Sequence, residues 1–246
     1  MAEHDAALLG APDSEAEAEV EFVARLADLG VGEQVLDVGC GAGRHAILMQ
    51  ERGARVTGVD LSPRLLRLAR DAWERRNPSA VGPVWMPGDM RWLPRTGPFD
   101  VATLLGHAFG VFDEDADNLR VLLSVSELLD DAGRLVLSLN NPYYWADRLQ
   151  TRHFPPGSVA AGDVIRSWRF DHSRGRLEER TVLFGPKGRR ELSSSLRCWT
   201  PPELVALLRH VGYRVVHVYG SDGWEVPEDP MPVNADAVTL WVYACR

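Results

Sequence analysis

Several things are scarce in this chain, and each scarcity excludes a class of function. Basic charge is one. The chain sets 27 Lys and Arg against 35 Asp and Glu, a formal net charge of −8, so it offers no basic face to a phosphate backbone and nucleic acid is not an expected partner. Cysteine is another. Cys40, Cys198 and Cys245 lie far apart without C-x-x-C spacing, which signals neither a disulfide framework nor a zinc site, and no metal is expected. No uninterrupted apolar run approaches the length of a membrane span, and the acidic, Ala-rich amino terminus lacks the basic and apolar regions of a signal peptide. The expected setting is therefore a reducing cytoplasm, away from membranes. Repeats and low-complexity blocks are also missing. What is present, 45% hydrophobic and 25% charged residues in a chain of 246, is a globular composition at a length suited to one α/β domain with an embedded subdomain.

The chain is organised around residues 33–60, EQVLDVGCGAGRHAILMQERGARVTGVD. A short apolar run at 34–38 reads as a buried strand containing Asp37. Gly39, Gly41 and Gly43 follow at alternate positions, where backbone can turn tightly and approach a ligand closely. Apolar residues at helical spacing occupy 44–50, and a second strand at 55–59 ends on Asp60. This is a βαβ crossover of the nucleotide-binding kind, with Asp37, the glycines and Asp60 at one crevice beyond the carboxyl ends of the strands. A dinucleotide fingerprint requires a third glycine at position 44, and Arg44 stands there instead. The pyrophosphate reading fails, and Arg44 argues against the rival reading of a nicotinamide oxidoreductase, which an NAD-binding screen would settle. Cys40, inside the turn, reads as small apolar filler rather than a nucleophile.

The D-x-G-x-G-x-G pattern resembles motif I of class I S-adenosylmethionine-dependent methyltransferases, and later motifs agree with it. GDMRWLP at 88–94 resembles the family's G-D-[MA]-x-x-L-P. FDVATLLGHAFGVF at 99–112 resembles its strand-four motif and following loop. RCWTPPELVALLRHVGYRVVHVYG at 197–220 resembles R-x-Y/W-T-x-x-E-L-x-x-L-L-x-x-A-G-F-x-V-x-x-V-Y-G. The resemblance covers residues 15–246 and extends to small-molecule enzymes such as amino-sugar N-methyltransferases and glycine N-methyltransferase. It implies a Rossmann-like, seven-stranded, mostly parallel α/β sheet with helices on both faces. It also implies S-adenosylmethionine as cofactor, with S-adenosylhomocysteine as product. Asp37 and the turn of Gly39, Cys40 and Gly41 would hold the methionine part, and Asp60 with Leu61 the ribose. Asp89 and Met90 would hold the adenine, and Leu105 belongs to the same set. The sequence departs from the family's aromatic amino-terminal segment, which closes over the cofactor: no Tyr or Trp precedes motif I, and Phe22 is the only aromatic there.

Residues 1–14 read as a loose, polar start, followed by a helix from 15 to about 29. Further helices are expected at 63–76, 113–129 and 201–210. Strands are expected at 84–86, 98–104, 134–139, 213–219 and 236–245. Between strands five and six, residues 158–199 alternate in three runs joined by short glycine turns, an antiparallel β insertion able to roof a pocket or form a homodimer contact. His107, in the loop after strand four, leaves three roles open: general base, donor to a substrate carbonyl, or backbone hydrogen-bond partner. Asn140, Tyr143, Tyr144 and Trp224 form a polar and aromatic group at the productive end of the sheet, suited with His107 to substrate contact. The expected activity is methyl transfer to N or O of a small molecule, such as a natural-product or amino-sugar intermediate. The alternative is a protein of this fold that binds the cofactor without transferring methyl, because motif I reports binding alone.

Overall fold

The computed structural model describes residues 13–149, 152–153, 157–159, 162–185, 188–222 and 231–246. Elements in chain order are α1 (Asp13–Leu26), β1 (Gln34–Val38), α2 (Arg44–Glu51), β2 (Arg55–Asp60), α3 (Pro63–Arg76), β3 (Val84–Pro87), a 3-10 turn (Met90–Trp92), β4 (Phe99–Leu104), α4 (Asp115–Ser126), β5 (Leu129–Asn140) and α5 (Pro142–Arg148). They continue with β6 (Arg152–His153), β7 (Gly157–Val159), β8 (Gly162–Asp171), β9 (Arg176–Gly185), β10 (Gly188–Arg197), α6 (Pro201–Val211), β11 (Val215–Asp222) and β12 (Ala237–Cys245).

Seven strands form the main sheet in the order β11-β12-β5-β4-β1-β2-β3. β1 to β5 are parallel to their neighbours, and β12 and β11 close the edge antiparallel. Their near-continuous apolar runs suit burial on both faces. Alternate residues feed opposite layers. Leu36, Ala102, Leu104, Leu135, Leu137 and Leu139 join α4 and α6 in one core. Val35, Val101, Val136 and Trp241 join α1 and α2 in the other. The strand order runs outward from β1 in one direction and from β4 in the other, so the crevice between their carboxyl ends is the topological switch point where such sheets bind ligands.

Two helices differ from the expected bounds. α1 stops at Leu26, short of 29, because the chain turns at Asp28 with φ of 48°. α4 starts at Asp115 rather than 113 because the Asn118 amide donates to the carbonyls of Phe112 and Glu114 (3.0 and 3.2 Å), holding that loop outside the helix. It ends at Ser126, since Leu129 already pairs with Phe99, and residues 130–133 form an irregularity before Arg134 resumes the ladder opposite Val101. The aromatic run after Asn140 is helical: Asn141 caps α5 by accepting from the Tyr143 amide.

The insertion is a separate antiparallel sheet, β10-β9-β8-β6, with β7 on β8. It is pinned to the main sheet by one buried arginine. Arg176 is 1% exposed; its guanidinium donates to the Phe112 carbonyl (3.0 Å) and to the Ser195 hydroxyl and carbonyl (2.7 and 2.8 Å). Beside it the Arg197 amide donates to the Gly110 carbonyl at 2.8 Å. A Cβ on Gly110, whose φ is +98°, would stand 2.5 Å from the Arg197 carbonyl oxygen, so the loop after β4 lies directly against β10. Removing the Arg176 side chain strands buried acceptors, at about 1–3 kcal/mol per group. Arg176→Ala is expected to lose about 2–4 kcal/mol in urea unfolding. Arg180→Ala, which breaks only an exposed pair with Glu191, is expected to lose less than about 1 kcal/mol. Equal midpoints for the two variants would remove Arg176 as the pin.

Candidate functional site

The glycine turn is hooked onto β2. The Gly39 and Cys40 amides both donate to the Val59 carbonyl (2.8 and 3.1 Å), and the Gly41 amide donates to Asp60 Oδ2 at 2.9 Å. Asp60 Oδ1 accepts from the Ser62 amide at 2.8 Å, so each carboxylate oxygen takes one donor and keeps further lone pairs for a ligand. Two glycines serve different ends. Gly43 (φ +83°) caps α2, and a Cβ there would stand 2.6 Å from Trp85 and 2.8 Å from Ala69, so it permits close helix packing. Gly41 (φ +56°) has no atom within 4 Å of a built Cβ, so its open side is a cradle that a side chain would fill.

Asp37 lies under that cradle, 1% exposed, in register with Thr103 on β4. Its Oδ1 accepts from the Thr103 hydroxyl at 2.9 Å, while its Oδ2 is buried with no partner. Burial pushes its pKa up, against the nearby positive charge of His45 and Arg44. A buried carboxylate oxygen left open at a switch point is a place for a donor, and an ammonium group fits it.

A second charged group stands beside the turn. Glu19 of α1, 7% exposed, accepts from Arg44 Nη2 at 3.2 Å and lies 2.5 Å from His45 Nε2. Burial alone would raise the Glu19 pKa, but the His45 hydrogen bond and the charges of His45 and Arg44 bring it below the usual value. Arg44 Nη1 is buried without a partner. The loop after β4 closes on this group: Gly106 donates its amide to Ser138 Oγ at 2.9 Å, and Gly106 and His107 are both left-handed (φ 61° and 63°). For His107 that backbone costs about 1–3 kcal/mol, a strain that clusters at functional sites. Its Nδ1 is also buried without a partner, and burial pulls its pKa down to about 4. The ring is neutral at pH 7 and a weak proton acceptor.

The other expected residues divide. Met90 begins the 3-10 turn and brings its Cε to 3.5 Å from a Cβ built on Gly39, so it lines the turn. Leu61, beside Asp60, is 74% exposed and offers apolar surface. Leu105 is buried in the core with α1 and α2. Cys40 is buried, and burial with the Asp37 and Asp60 charges pushes its thiol pKa far up, in keeping with filler. Asp89 caps the 3-10 turn and holds the Arg91 guanidinium (2.7 Å to Oδ2, 3.1 Å to Oδ1), which keeps its carboxyl below the usual range. Arg91 reaches on to Asp117 at 3.0 Å. Asn140 is buried and accepts from the Trp145 indole at 3.1 Å, and Tyr144 stacks under Arg148 at 4.6 Å. Tyr143 lines a cleft of about 730 Å³ with Asp113, Phe170, His172 and Arg174, between the loop leading into α4, α5 and the insertion. Trp224 lies outside the described residues. Among the described residues no cluster of metal-ligating side chains occurs, and no described helix is long and apolar enough to cross a membrane.

Four residues of this site escaped the sequence reading in any functional role: Glu19, Arg44, His45 and Thr103. The usable signal was the Arg-His pair directly after the glycine turn.

A glycine turn clasped by the acid of the second strand thus stands beside a buried acid on the first, at the carboxyl ends of a Rossmann-like sheet. Residues 35–133 match the family model described as a methyltransferase domain. Glycine N-methyltransferase of Oryctolagus cuniculus is 29% identical over 137 residues, 50% of this chain and 45% of that one. The chain thus spans about half the length of the curated relatives it matches. Among solved structures, an S-adenosylmethionine-dependent methyltransferase from Clostridium acetobutylicum superposes with a TM-score of 0.78 at 15% identity, covering 96% of this chain and 93% of that one. An S-adenosylmethionine-bound amino pentose methyltransferase from Micromonospora echinaspora gives 0.68 at 24%, covering 99% and 96%. At such identities the structures establish the fold. The chain shares the fold of these S-adenosylmethionine-dependent methyltransferases, and the seven-stranded sheet with its antiparallel insertion bears out the expected architecture.

The depressed His107 pKa has a consequence for stability. In the unfolded chain the ring titrates near 6.5. Between pH 6.5 and about 4 the unfolded state takes a proton that the folded state refuses, so this residue's contribution is complete above that window and lost as pH falls through it. Urea midpoints of the wild type are expected to fall more steeply from pH 6.5 to 4 than those of His107→Asn, whose side chain tolerates the left-handed backbone. Parallel curves would show that His107 titrates normally.

Proposed function

We propose that the chain transfers a methyl group from S-adenosylmethionine to N or O of a small polar molecule, releasing S-adenosylhomocysteine. The observation that carries this is the pair of carboxylates, buried Asp37 and half-buried Asp60, with unused acceptor positions on either side of a glycine turn open at Gly41. Asp37 suits the ammonium of the methionine part, and Asp60 the ribose hydroxyls. Leu61 and Met90 offer apolar surface to the nucleoside. Because the Asp89 carboxylate is already forked by Arg91, we assign more of the adenine contact to Met90 and the turn than to the Asp89 side chain.

When bound, the cofactor supplies a methyl carbon already activated by its sulfonium. What remains for the chain is to hold an acceptor lone pair in line at roughly 3–3.5 Å. The loop at 105–113, held by Ser138 from below and by Arg176 and Arg197 from the insertion, presents a fixed edge for that purpose. The 730 Å³ cleft lined by Tyr143 falls within the size range of small-molecule sites, and its mixture of aromatic, acidic and basic groups suits a polar acceptor. A neutral amine needs little base assistance, whereas a hydroxyl needs a proton acceptor. His107, neutral and reluctant to take a proton, favours nitrogen over oxygen; the ring would position the acceptor rather than deprotonate it. The glycine N-methyltransferase and amino pentose methyltransferase likenesses support the same class.

Asp60→Ala is expected to weaken S-adenosylhomocysteine binding by about 10- to 100-fold in calorimetry, the effect of losing hydrogen bonds to a charged group. Unchanged affinity would sink the ribose assignment. With a panel of amino sugars and small amines, S-adenosylhomocysteine should form only when an acceptor is present. Binding without any product across amine and hydroxyl acceptors would favour a cofactor-binding protein that transfers nothing.

A further inference from the structure

The insertion presents its two faces to different surroundings. Phe170 and Leu177 turn one face onto Leu149 and Trp145 in a small buried core. The other face carries Arg176 to the Phe112 carbonyl, so it looks onto the loop after β4. Cross-strand register sets Ser167 opposite Arg180 and Ser193, and Arg169 opposite Glu178 and Ser195, all on the face of Arg176. With Val111 and Asp113 of the loop, these residues line a second cleft of about 710 Å³, which the function proposed above does not use. Asp113 lines both this cleft and the 730 Å³ acceptor cleft, so the two share a wall.

The two clefts differ in charge. In the second, every charged lining side chain is met by one of opposite sign: Arg169 by Glu178 (2.5 Å), Arg180 by Glu191 (2.9 Å), Glu179 by Arg166 (3.8 Å) and Asp113 by Arg176 (3.6 Å). An ionic ligand gains little from such a surface, because each charge is cancelled by its neighbour. What the wall retains is hydrogen-bonding capacity: carboxylate lone pairs, guanidinium N–H groups and the exposed Ser193 hydroxyl, donors and acceptors side by side. Val111, 41% exposed, adds an apolar spot. Interleaved donors and acceptors around an apolar spot complement a ring that bears hydroxyl groups and an apolar face, which is a neutral sugar. The acceptor cleft is of another kind, since among the described residues its Glu114 and Arg174 make no ion pair and can meet a charged group.

We infer that the acceptor is a glycoside and that the insertion holds its far end: the group to be methylated lies in the 730 Å³ cleft, and a second, uncharged sugar unit lies past Asp113 in the 710 Å³ cleft. This rests on the transferase reading above and narrows its substrate class, from small amines in general to an amine carried on a chain of two or more sugar units. Each cleft by itself falls within the size range of a small-molecule site, so a free amino acid or a single amino sugar leaves the second one unfilled. Arg176 thereby does more than pin the insertion: it holds Asp113 between the two subsites and so fixes their spacing.

The test uses glucosamine and galactosamine, each free and carrying a β-linked neutral hexose, titrated calorimetrically into the protein in the presence of S-adenosylhomocysteine. The disaccharides are expected to bind about tenfold more tightly than the free amino sugars, the effect of two or three additional hydrogen bonds. Ser193→Trp, which puts a large ring into the second cleft from an exposed strand position, should erase that difference and leave the free amino sugars within about twofold of wild type. Arg180→Ala, whose exposed pair with Glu191 adds little to stability, should reduce the difference about threefold. Equal affinities for the free and extended sugars, no binding of either, or a difference that survives both variants would overturn the second subsite. Those results leave the transferase reading in place wherever S-adenosylhomocysteine still binds and forms with another amine. A protein that prefers the disaccharides but neither binds nor releases S-adenosylhomocysteine would instead sink the transferase reading and leave the sugar subsite.

Discussion

The hydrogen bond from the Gly41 amide to Asp60 is the constraint on which the rest depends. A turn of three left-handed glycines is floppy by composition, since each gives up the most backbone freedom on folding. Here β2 holds it by hydrogen bonds: the Val59 carbonyl takes two amides and Asp60 takes a third. That clasp fixes where α2 begins, and Gly43 lets the helix lie against Trp85 and Ala69. The start of α2 in turn fixes where Arg44 and His45 meet Glu19. A single carboxylate at a strand end thus shapes the cradle and keeps enough acceptor capacity to take part in binding.

The parts of this site that were legible in the sequence are those in which backbone geometry dictates residue type. Alternate glycines, a strand-ending acid and the break at Arg44 are local demands, each answerable within a few positions. The β insertion was legible for the same reason, because alternation and glycine turns are written into consecutive residues. The ion network was not. Glu19 looks like one more acid on an Ala- and Glu-rich helix, and nothing in its own surroundings tells a solvated carboxylate from one that meets Arg44 25 residues later. Arg176 likewise reads as an alternating strand residue, although its burial is set by a loop carbonyl 64 positions away. Helix α5 was missed because its seven residues are too few to establish a 3.6-residue period, and its real signal, Asn141 as a cap, was masked by the aromatics around it.

Asp89 illustrates how a motif can be right in place and incomplete in mechanism. Its position at the end of the third strand follows the resemblance, but the structure gives its carboxylate to Arg91 two residues on, and Arg91 continues to Asp117 and over Phe112 at 4.4 Å. The acid therefore also ties the turn after β3 to the loop that precedes α4. That loop is the same one reached from the far side by Arg176. Arg91, before Phe112 in the chain, and Arg176, well after it, converge on that residue, one over its ring and one at its carbonyl.

Under the proposed function, this convergence gives the insertion a role. An open parallel sheet supplies the crevice, but the loop after β4, which in that reading presents the acceptor, contains two left-handed residues in succession, and among the described residues its hydrogen bond to the main sheet is the one from Gly106 to Ser138. Left to itself it would sample many conformations, and in-line transfer tolerates little error in distance or angle. Anchoring that loop through Arg176, Arg197 and Arg91 moves the ordering cost into folding, before any ligand arrives. Among the described residues, buried polar atoms stay unpaired on Asp37, Arg44 and His107 around this crevice and on Trp199 and Tyr213 in the core beneath, so the fold leaves some of its polar groups unsatisfied on both sides of that loop.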